Sequence, residues 1–479
     1  MFFLSKHRHR FRIANSIFTN STGILFSRIT GFVRDFATAS ILGANIYSDI
    51  FFVAFKLPNL FRNIFAEGAF TQAFLPSLTA AKYKGAFCKE IFIKLFGAIL
   101  LLSLFVTFFS ELITKAVAWG FDEETCKIAA PFVALNFWYL DIFFLAVFLM
   151  ALLHYRKHFA VPAFSAALLN ISMIIALFLA RDQGEKEIVW YLSCAVIAGG
   201  IAQVLAHIAA LKKKRITPML VGGFRKKRDN KTDCDRFYKA FIPATFGASG
   251  NHIASFIDTI LASFLAVGSI SYLYYANRVF QLPLALFAIA VSMAVFPTIA
   301  KAIKRGDESG AIALLGGQFR VLTLLLALSA IGGILLSDGI IWLLFERQAF
   351  ARTDTIETAH ALVAYMVGLI PFGLSRLLSL WLYANHRQVE AAKNTAIALG
   401  ANALFSLALI SPLGVVGLAL SGSLSGVILL ALNIRSFGWQ RVFCMIRASY
   451  LLFLLGAMIL AAAAIEAFKF FINYRGFFG

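Results

Sequence analysis

Residues Ser27 to Lys82 read SRITGFVRDFATASILGANIYSDIFFVAFKLPNLFRNIFAEGAFTQAFLPSLTAAK. Apolar runs lie on both sides of the short segment GANI (residues 43–46), and they extend over residues 15–42 and 47–81. Each run exceeds the roughly 20 residues that a helix needs to cross about 30 Å of hydrocarbon. Both runs also contain arginine, so this stretch predicts two membrane-spanning helices with cations inside the membrane.

The same pattern continues to the end of the chain. Of its 479 residues, 60% are hydrophobic and 14% are charged, and the mean hydropathy is +0.81. Soluble domains are nearer a quarter charged. The predicted fold class is therefore an all-α polytopic membrane protein. Thirteen spans are predicted near residues 15–42, 47–81, 90–118, 126–153, 159–180, 187–211, 237–266, 270–301, 311–338, 355–384, 389–411, 415–434 and 449–472.

The distribution of basic residues decides how the net charge of +20 is interpreted. In a soluble protein this excess would suggest nucleic acid binding. Here 27 of the 44 Lys and Arg lie in the N-terminus and alternate loops, against 7 in the opposite loops and C-terminus. This is the positive-inside pattern. We therefore expect a cytoplasmic N-terminus and no nucleic acid partner.

The longest hydrophilic segment, Lys212 to Arg236, divides the predicted spans into two groups. We interpret it chiefly as a topology determinant, with contact to anionic lipid headgroups as the alternative. The predicted organisation is an N-lobe of six helices (1–211), a basic cytoplasmic linker (212–236), a C-lobe of six helices (237–434) and an extra transmembrane helix in 435–479.

An internal repeat supports two lobes. Gly31 to Pro58 parallels Ser255 to Pro283, which aligns Asp35 with Asp258 and the two prolines with each other. Both copies begin with a span that runs outward, so the repeat is parallel. Two such lobes around a central cavity are typical of alternating-access transporters.

Four arginines at membrane depth are the candidate binding residues. Each costs roughly 2.5 to 3.5 kcal/mol or more at mid-bilayer unless it faces water or a partner. One interpretation is a set of salt bridges with nearby acids. The other, which we favour, is an anion-binding cavity, because the guanidinium is a planar fork of donors suited to phosphate. The arginines are Arg28, Arg34, Arg62 and Arg278, and the acids are Asp35, Asp49, Glu67, Asp141 and Asp258.

Pro58 and Gly68 predict a helix break or hinge in the second span, because proline removes a backbone donor and clashes with the preceding turn. Lys56 beside that zone is predicted either to snorkel or to face the cavity. The sequence has no GxSxG, no HExxH, no acidic metal motif and no phosphate-binding glycine loop. We therefore expect no catalytic residues, no metal, no cofactor and no enzymatic activity. The five cysteines lack CxxC spacing and are interpreted as packing residues.

The stretch from Ser27 to Lys82, with YYANRVFQLP (Tyr274 to Pro283) and the FPTIAK that follows, closely resembles the MurJ (MviN) family. These are bacterial lipid II flippases of the multidrug/oligosaccharidyl-lipid/polysaccharide exporter superfamily. The resemblance implies that the four arginines engage the diphosphate of lipid II and that Asp49 is an essential acid. It also implies transport for peptidoglycan biosynthesis in a multi-pass protein of the bacterial inner membrane. The implied partners are lipid II and membrane lipids, with monovalent ions left open.

Two departures from the family pattern and two alternatives remain. Relatives usually carry fourteen spans against the thirteen predicted here. Where many have a segment like YYADRLMEFP, this chain has Asn277 and Gln281 in place of the acids. An exporter of another polyprenyl-diphosphate-linked glycan would share the arginines. A membrane-embedded enzyme acting on polyprenyl phosphates would need a set of catalytic acids or histidines, which the sequence does not provide.

Overall fold

A computed structural model describes the backbone of residues 2–66, 69–213, 231–446 and 448–474, and the side chains of these except residues 2–18, 20, 63–66, 246–254 and 472–474. Every regular element in these ranges is a helix. The helices are α1 (Phe2–Leu42), α2 (Ile46–Ala66), α3 (Ala69–Ala80), α4 (Lys84–Phe108), α5 (Ser110–Val117), α6 (Glu123–Phe137), α7 (Tyr139–Tyr155), α8 (Ala160–Ala180), α9 (Glu185–Lys213), α10 (Lys231–Ala262), α11 (Ser269–Pro283), a π-helix (Leu284–Ile289), α12 (Ala290–Lys304), α13 (Glu308–Leu335), α14 (Ser337–Phe345), α15 (Arg352–Val367), α16 (Leu369–Ala384), α17 (Gln388–Phe437), α18 (Trp439–Met445) and α19 (Ala448–Tyr474).

The predicted fold class is confirmed, and each of the thirteen predicted spans overlaps helical backbone. By length and composition, eight helical segments of the described chain are able to cross a membrane. The bent pair α15 and α16 adds a ninth if it counts as one span. The remaining predicted spans, α1, α2 with α3, and α10, are not among these segments. They hold most of the candidate site residues.

Helix α17 is a hairpin of two spans. A straight helix of its 50 residues would be about 75 Å long. Gly414 instead adopts φ 53° and ψ −126°, outside the helical region. The Asn394 Nδ2 donates to Asn433 Oδ1 at 3.0 Å, although a straight helix would separate these residues by roughly 58 Å. The chain therefore reverses at Gly414, between the two spans predicted there.

The chain divides into two compact units, Met1–Ile260 and Leu261–Gly479. In the first unit, α8 packs between α1 and α9, while α2 packs on α6 and α7. In the second unit, α15 packs on α11 and α17, and α13 packs on α16 and α19. Most of α10 belongs to the first unit. The lobe boundaries predicted from the repeat stay a prediction, and most of the predicted linker, residues 214–230, lies outside the described residues.

The two copies of the predicted repeat share a glycine with positive φ between two helices, although α1 ends directly before Gly43 and α10 ends six residues before Gly268. The helix of each first half ends before a glycine with positive φ, Gly43 at 75° and Gly268 at 91°, and a new helix follows. Positive φ is accessible to glycine without strain from a Cβ atom. In both copies the aligned proline comes fifteen residues after that glycine, at Pro58 and Pro283. This shared turn supports the repeat inferred from sequence.

Candidate functional site

Arg34 is fixed inside the first unit by a carboxylate and an amide. Its Nε and Nη2 donate to Asp35 Oδ1 at 3.1 and 2.6 Å, and its Nη1 donates to Asn170 Oδ1 at 3.0 Å. Arg34 and Asp35 are 8% and 4% exposed. The ion pair joins neighbours on one helix, so the bond to Asn170 is what ties α1 to α8. Burial of this guanidinium is tolerated because a charge and hydrogen bonds accompany it.

Asn170 also holds the adjacent turn of α1. Its Nδ2 donates to the Ser27 carbonyl at 3.1 Å and to Thr30 Oγ1 at 3.2 Å. One turn earlier the two helices approach closely, since a Cβ at Gly23 would lie 2.5 Å from the Ala163 Cβ. Asn170 was not among the residues predicted from the sequence. The available signal was an amide inside an apolar span, where polar side chains usually hydrogen-bond across helices.

Arg28 lies six residues before Arg34 on the same helix but in a different environment. Its side chain is exposed, and it makes no salt bridge with any residue in the described ranges. The pair of Arg34 with Asp35 is one of the predicted salt bridges, whereas the anion site stays a prediction. Arg34 has an acid partner, and Arg28 has the exposure that an anion-binding side chain needs.

Arg62 on α2 is half-buried beside aromatic rings of α7. Its Cζ lies 5.6 Å from the centroid of Phe143, a cation–π distance, and the Tyr139 side chain is also near. On the same helix, Lys56 Nζ donates to Ser255 Oγ of α10 at 2.7 Å. Lys56 therefore contacts another helix of the first unit rather than extending to an interface.

Asp49 lies in the first turn of α2 and is 2% exposed. An acid at this position is stabilised by the first backbone N–H groups of the helix, which have no acceptor within the helix. Asn45 completes the helix start, because its Oδ1 accepts from the Tyr47 and Ser48 amides at 2.9 and 3.0 Å. Pro58 lies inside α2, which continues to Ala66 rather than breaking there.

The other half of the predicted hinge, Gly68, lies outside the described residues, as does Glu67, so the pairing of Arg62 with Glu67 stays a prediction. Asp258, which the repeat aligns with Asp35, is half-buried on α10.

Within the described ranges, no three His, Cys, Asp or Glu side chains are grouped closely enough to hold a metal ion.

Arg278 in the second unit is oriented by a tyrosine one turn before it. Its Nη2 donates to Tyr274 Oη at 2.8 Å, and its Cζ lies 4.8 Å from the centroid of that ring. Tyr274 was also missed, although the i, i+4 spacing on a helix places the two side chains together. Three residues after Arg278, the Gln281 side chain donates to Asn277 Oδ1.

A π-helix, Leu284–Ile289, follows Pro283 and begins six residues after Arg278 along the chain. Because π-helical turns occur frequently at functional sites, this departure from α geometry marks the segment beside Arg278. In chemical terms, the arginines of both units offer charge-assisted hydrogen bonds suited to an anionic oxygen.

A family model described as "Lipid II flippase MurJ" matches residues 38–476. The chain belongs to the MurJ family of lipid II flippases. A probable lipid II flippase MurJ of Helicobacter pylori strain J99 is 49% identical over 414 residues, 84% of this chain and 90% of the relative. One from Haemophilus influenzae is 32% identical over 465 residues, 92% of this chain and 89% of the relative.

Solved structures share the fold. A structure titled "Lipid II flippase MurJ, inward closed conformation" matches with a TM-score of 0.77 and 24% identity, covering 96% of this chain and 99% of that one. An inward-facing MATE transporter of the MOP superfamily matches with a TM-score of 0.69 and 12% identity, covering 87% and 95%. The suspected family is thus confirmed, and MurJ proteins are transporters rather than enzymes.

Proposed function

We propose that this chain moves lipid II, the undecaprenyl-diphosphate-linked precursor of peptidoglycan, from the cytoplasmic to the outer leaflet of the bacterial inner membrane. Membership of the MurJ family over residues 38–476 carries this proposal. Arginines inside membrane-depth helices of both units support it, because a diphosphate loses its hydration when it leaves water. Guanidinium groups replace that hydration with charge-assisted hydrogen bonds.

The four arginines have different roles in this proposal. Arg28, exposed on α1, binds the diphosphate, and Arg62 of the first unit and Arg278 of the second unit each contribute to its binding during the transport cycle. Arg34 shapes the same helix from a position fixed by Asp35 and Asn170. Asp49 and Asp258 contribute negative charge at membrane depth, and Pro58 and Gly68 allow the second span to bend. The undecaprenyl chain stays in lipid while alternating access exposes the headgroup outside.

The orientation and the driving force follow from charge. The excess of Lys and Arg in the N-terminal segment and alternate loops puts the N-terminus in the cytoplasm. The diphosphate carries negative charge, so an outside-positive membrane potential favours its outward movement by about 2.3 kcal/mol per charge per 100 mV. Monovalent ions are the proposed additional partners, because they could balance charge within the transport cycle.

Complementation tests this function in cells. In a strain depleted of its own lipid II flippase, the wild-type chain should restore growth, and Arg28→Ala should not, at equal protein levels. An added lipid II hydrolase that acts from outside the cell should then degrade lipid II only in the complemented strain. Normal growth with Arg28→Ala would contradict the role of this arginine. Failure of the wild-type chain, with export of another polyprenyl-diphosphate-linked glycan, would favour the alternative substrate.

A further inference from the structure

A cavity of about 300 Å³ lies in the first unit between the beginnings of α6 and α9, and its lining includes none of the four arginines. Its size is at the lower end of the range for small-ligand pockets. Helix α6 contributes Glu124, Lys127, Pro131 and Phe132 to the lining, and α9 contributes Lys186 and Trp190.

The lining combines charged and apolar side chains. On each helix a lysine precedes an apolar lining residue by one turn, Lys127 before Pro131 and Lys186 before Trp190. The Phe132 and Trp190 rings pack 4.7 Å apart between centroids, with Phe132 buried and Trp190 exposed. Both helices begin only a few residues before these lysines, so we place the cavity at the membrane–water boundary, where tryptophan is frequent.

The two lysines are available for a ligand. Both are exposed, and neither makes a salt bridge with any residue in the described part of the chain. Only 7 basic residues lie in the loops predicted to face outward. Two of these 7 therefore line one small cavity, where Glu124 is the one acid of the lining and leaves it a net charge of +1.

We propose that this cavity binds the phosphate of an outer-leaflet phospholipid. The leaflet follows from the proposed orientation, whereas the chemistry follows from the lining. Lys127 and Lys186 contact the phosphate as point charges. Pro131, Phe132 and Trp190 cover the glycerol and the first methylene groups, and Glu124 accepts a hydrogen bond from a headgroup hydroxyl or ammonium. The mixture of charged and apolar side chains in the lining thus suits a molecule with both a charged headgroup and apolar chains.

Native mass spectrometry of the full-length chain tests this site, with phosphatidylglycerol as the probe. The double variant Lys127→Gln/Lys186→Gln should retain at least fivefold less bound phosphatidylglycerol than wild type. The control, Arg181→Gln/Lys469→Gln, removes the same charge from two other predicted outward positions, which pair with Asp182 and Glu466, and should retain the wild-type amount. Equal retention by all three proteins would overturn the proposal. So would equal binding of diacylglycerol, which lacks the phosphate, to the wild-type chain.

A competition arm identifies the source of the phosphate. Undecaprenyl diphosphate added to the wild-type chain should leave bound phosphatidylglycerol unchanged if the cavity holds a structural phospholipid. Displacement that requires Lys127 and Lys186 would assign the cavity to the transported lipid and overturn the phospholipid assignment. Because both lysines are exposed, the variants should melt at the wild-type temperature, which separates loss of binding from loss of folding.

Discussion

Arg34 in the first unit and Arg278 in the second are both held at membrane depth, but by different groups. Arg34 is bound by the Asp35 carboxylate and the Asn170 amide. Arg278 is bound by the hydroxyl and ring of Tyr274. The Asp35 carboxylate orients the Arg34 guanidinium and opposes its charge, whereas the Tyr274 hydroxyl and ring orient Arg278 through a hydrogen bond and a cation–π contact. The comparison shows that an intramembrane arginine is oriented by an acid in one unit and by an aromatic side chain in the other.

This difference is related to the departure of this chain from the pattern YYADRLMEFP. With Asn277 and Gln281 in place of the two acids, the helix around Arg278 carries amides that bond to each other. The segment around Arg278 thus carries amides at positions where the family pattern has acids. We expect loss of the Arg278 charge to impair transport.

The largest expected effect is that of Arg278→Ala on transport. Without the guanidinium, an anion at this position loses a charge-assisted hydrogen bond in a water-poor environment, so complementation should be lost at unchanged protein levels. Arg278→Lys keeps the positive charge but loses the planar set of guanidinium donors, so it should restore growth only partly. Arg305→Ala removes an exposed arginine at the end of α12 and is the control, with wild-type growth. Normal growth with Arg278→Ala would show that transport does not need Arg278.

Asp35→Asn should act on folding rather than on binding. It leaves the buried Arg34 charge without its carboxylate, a change that costs about 3–5 kcal/mol in buried pairs. The thermal unfolding temperature in detergent should fall markedly. Asp182→Asn breaks the exposed pair with Arg181 and should cost less than about 1 kcal/mol. Equal melting temperatures for the two variants would show that Asp35 does not stabilise Arg34.

Asn170→Ala removes another partner of Arg34 in the first unit and should have a smaller effect on stability. It removes the hydrogen bonds that join α8 to α1, and such interhelical bonds contribute about 1–2 kcal/mol in membranes. Thermal unfolding should show a decrease smaller than that of Asp35→Asn. A decrease as large as that of Asp35→Asn would indicate that the amide, and not the acid, is what holds Arg34.

The smallest expected effect belongs to Tyr274→Phe, which keeps the ring beneath Arg278 and removes the hydroxyl. Loss of one hydrogen bond of about 0.5–1 kcal/mol corresponds to a two- to fivefold slower transport rate. Tyr274→Leu also removes the cation–π contact and should be slower again. Initial rates in vesicles measure both. Identical rates for Tyr274→Phe and Tyr274→Leu would mean that the ring does not orient Arg278.

The helices could be predicted from the sequence because hydrophobic length is a local property. The break at Gly414 was also predictable, since the apolar run there is twice the length of a span. Asn170 was not, because it is 136 residues from Arg34 and only packing of α8 on α1 brings the two together. The packing of α10 in the first unit likewise depends on distant aromatic contacts, such as that of Phe237 with Phe70.

Transport of labelled lipid II in vesicles tests the central claim most directly. Vesicles that contain the purified wild-type chain should expose fluorescent lipid II from the inner leaflet to an external quencher faster than protein-free vesicles. Vesicles with Arg28→Ala or Arg278→Ala should stay at the protein-free rate. A wild-type rate no faster than that of protein-free vesicles would contradict lipid II transport. Wild-type rates in both arginine variants would contradict transport through binding of the diphosphate by these arginines.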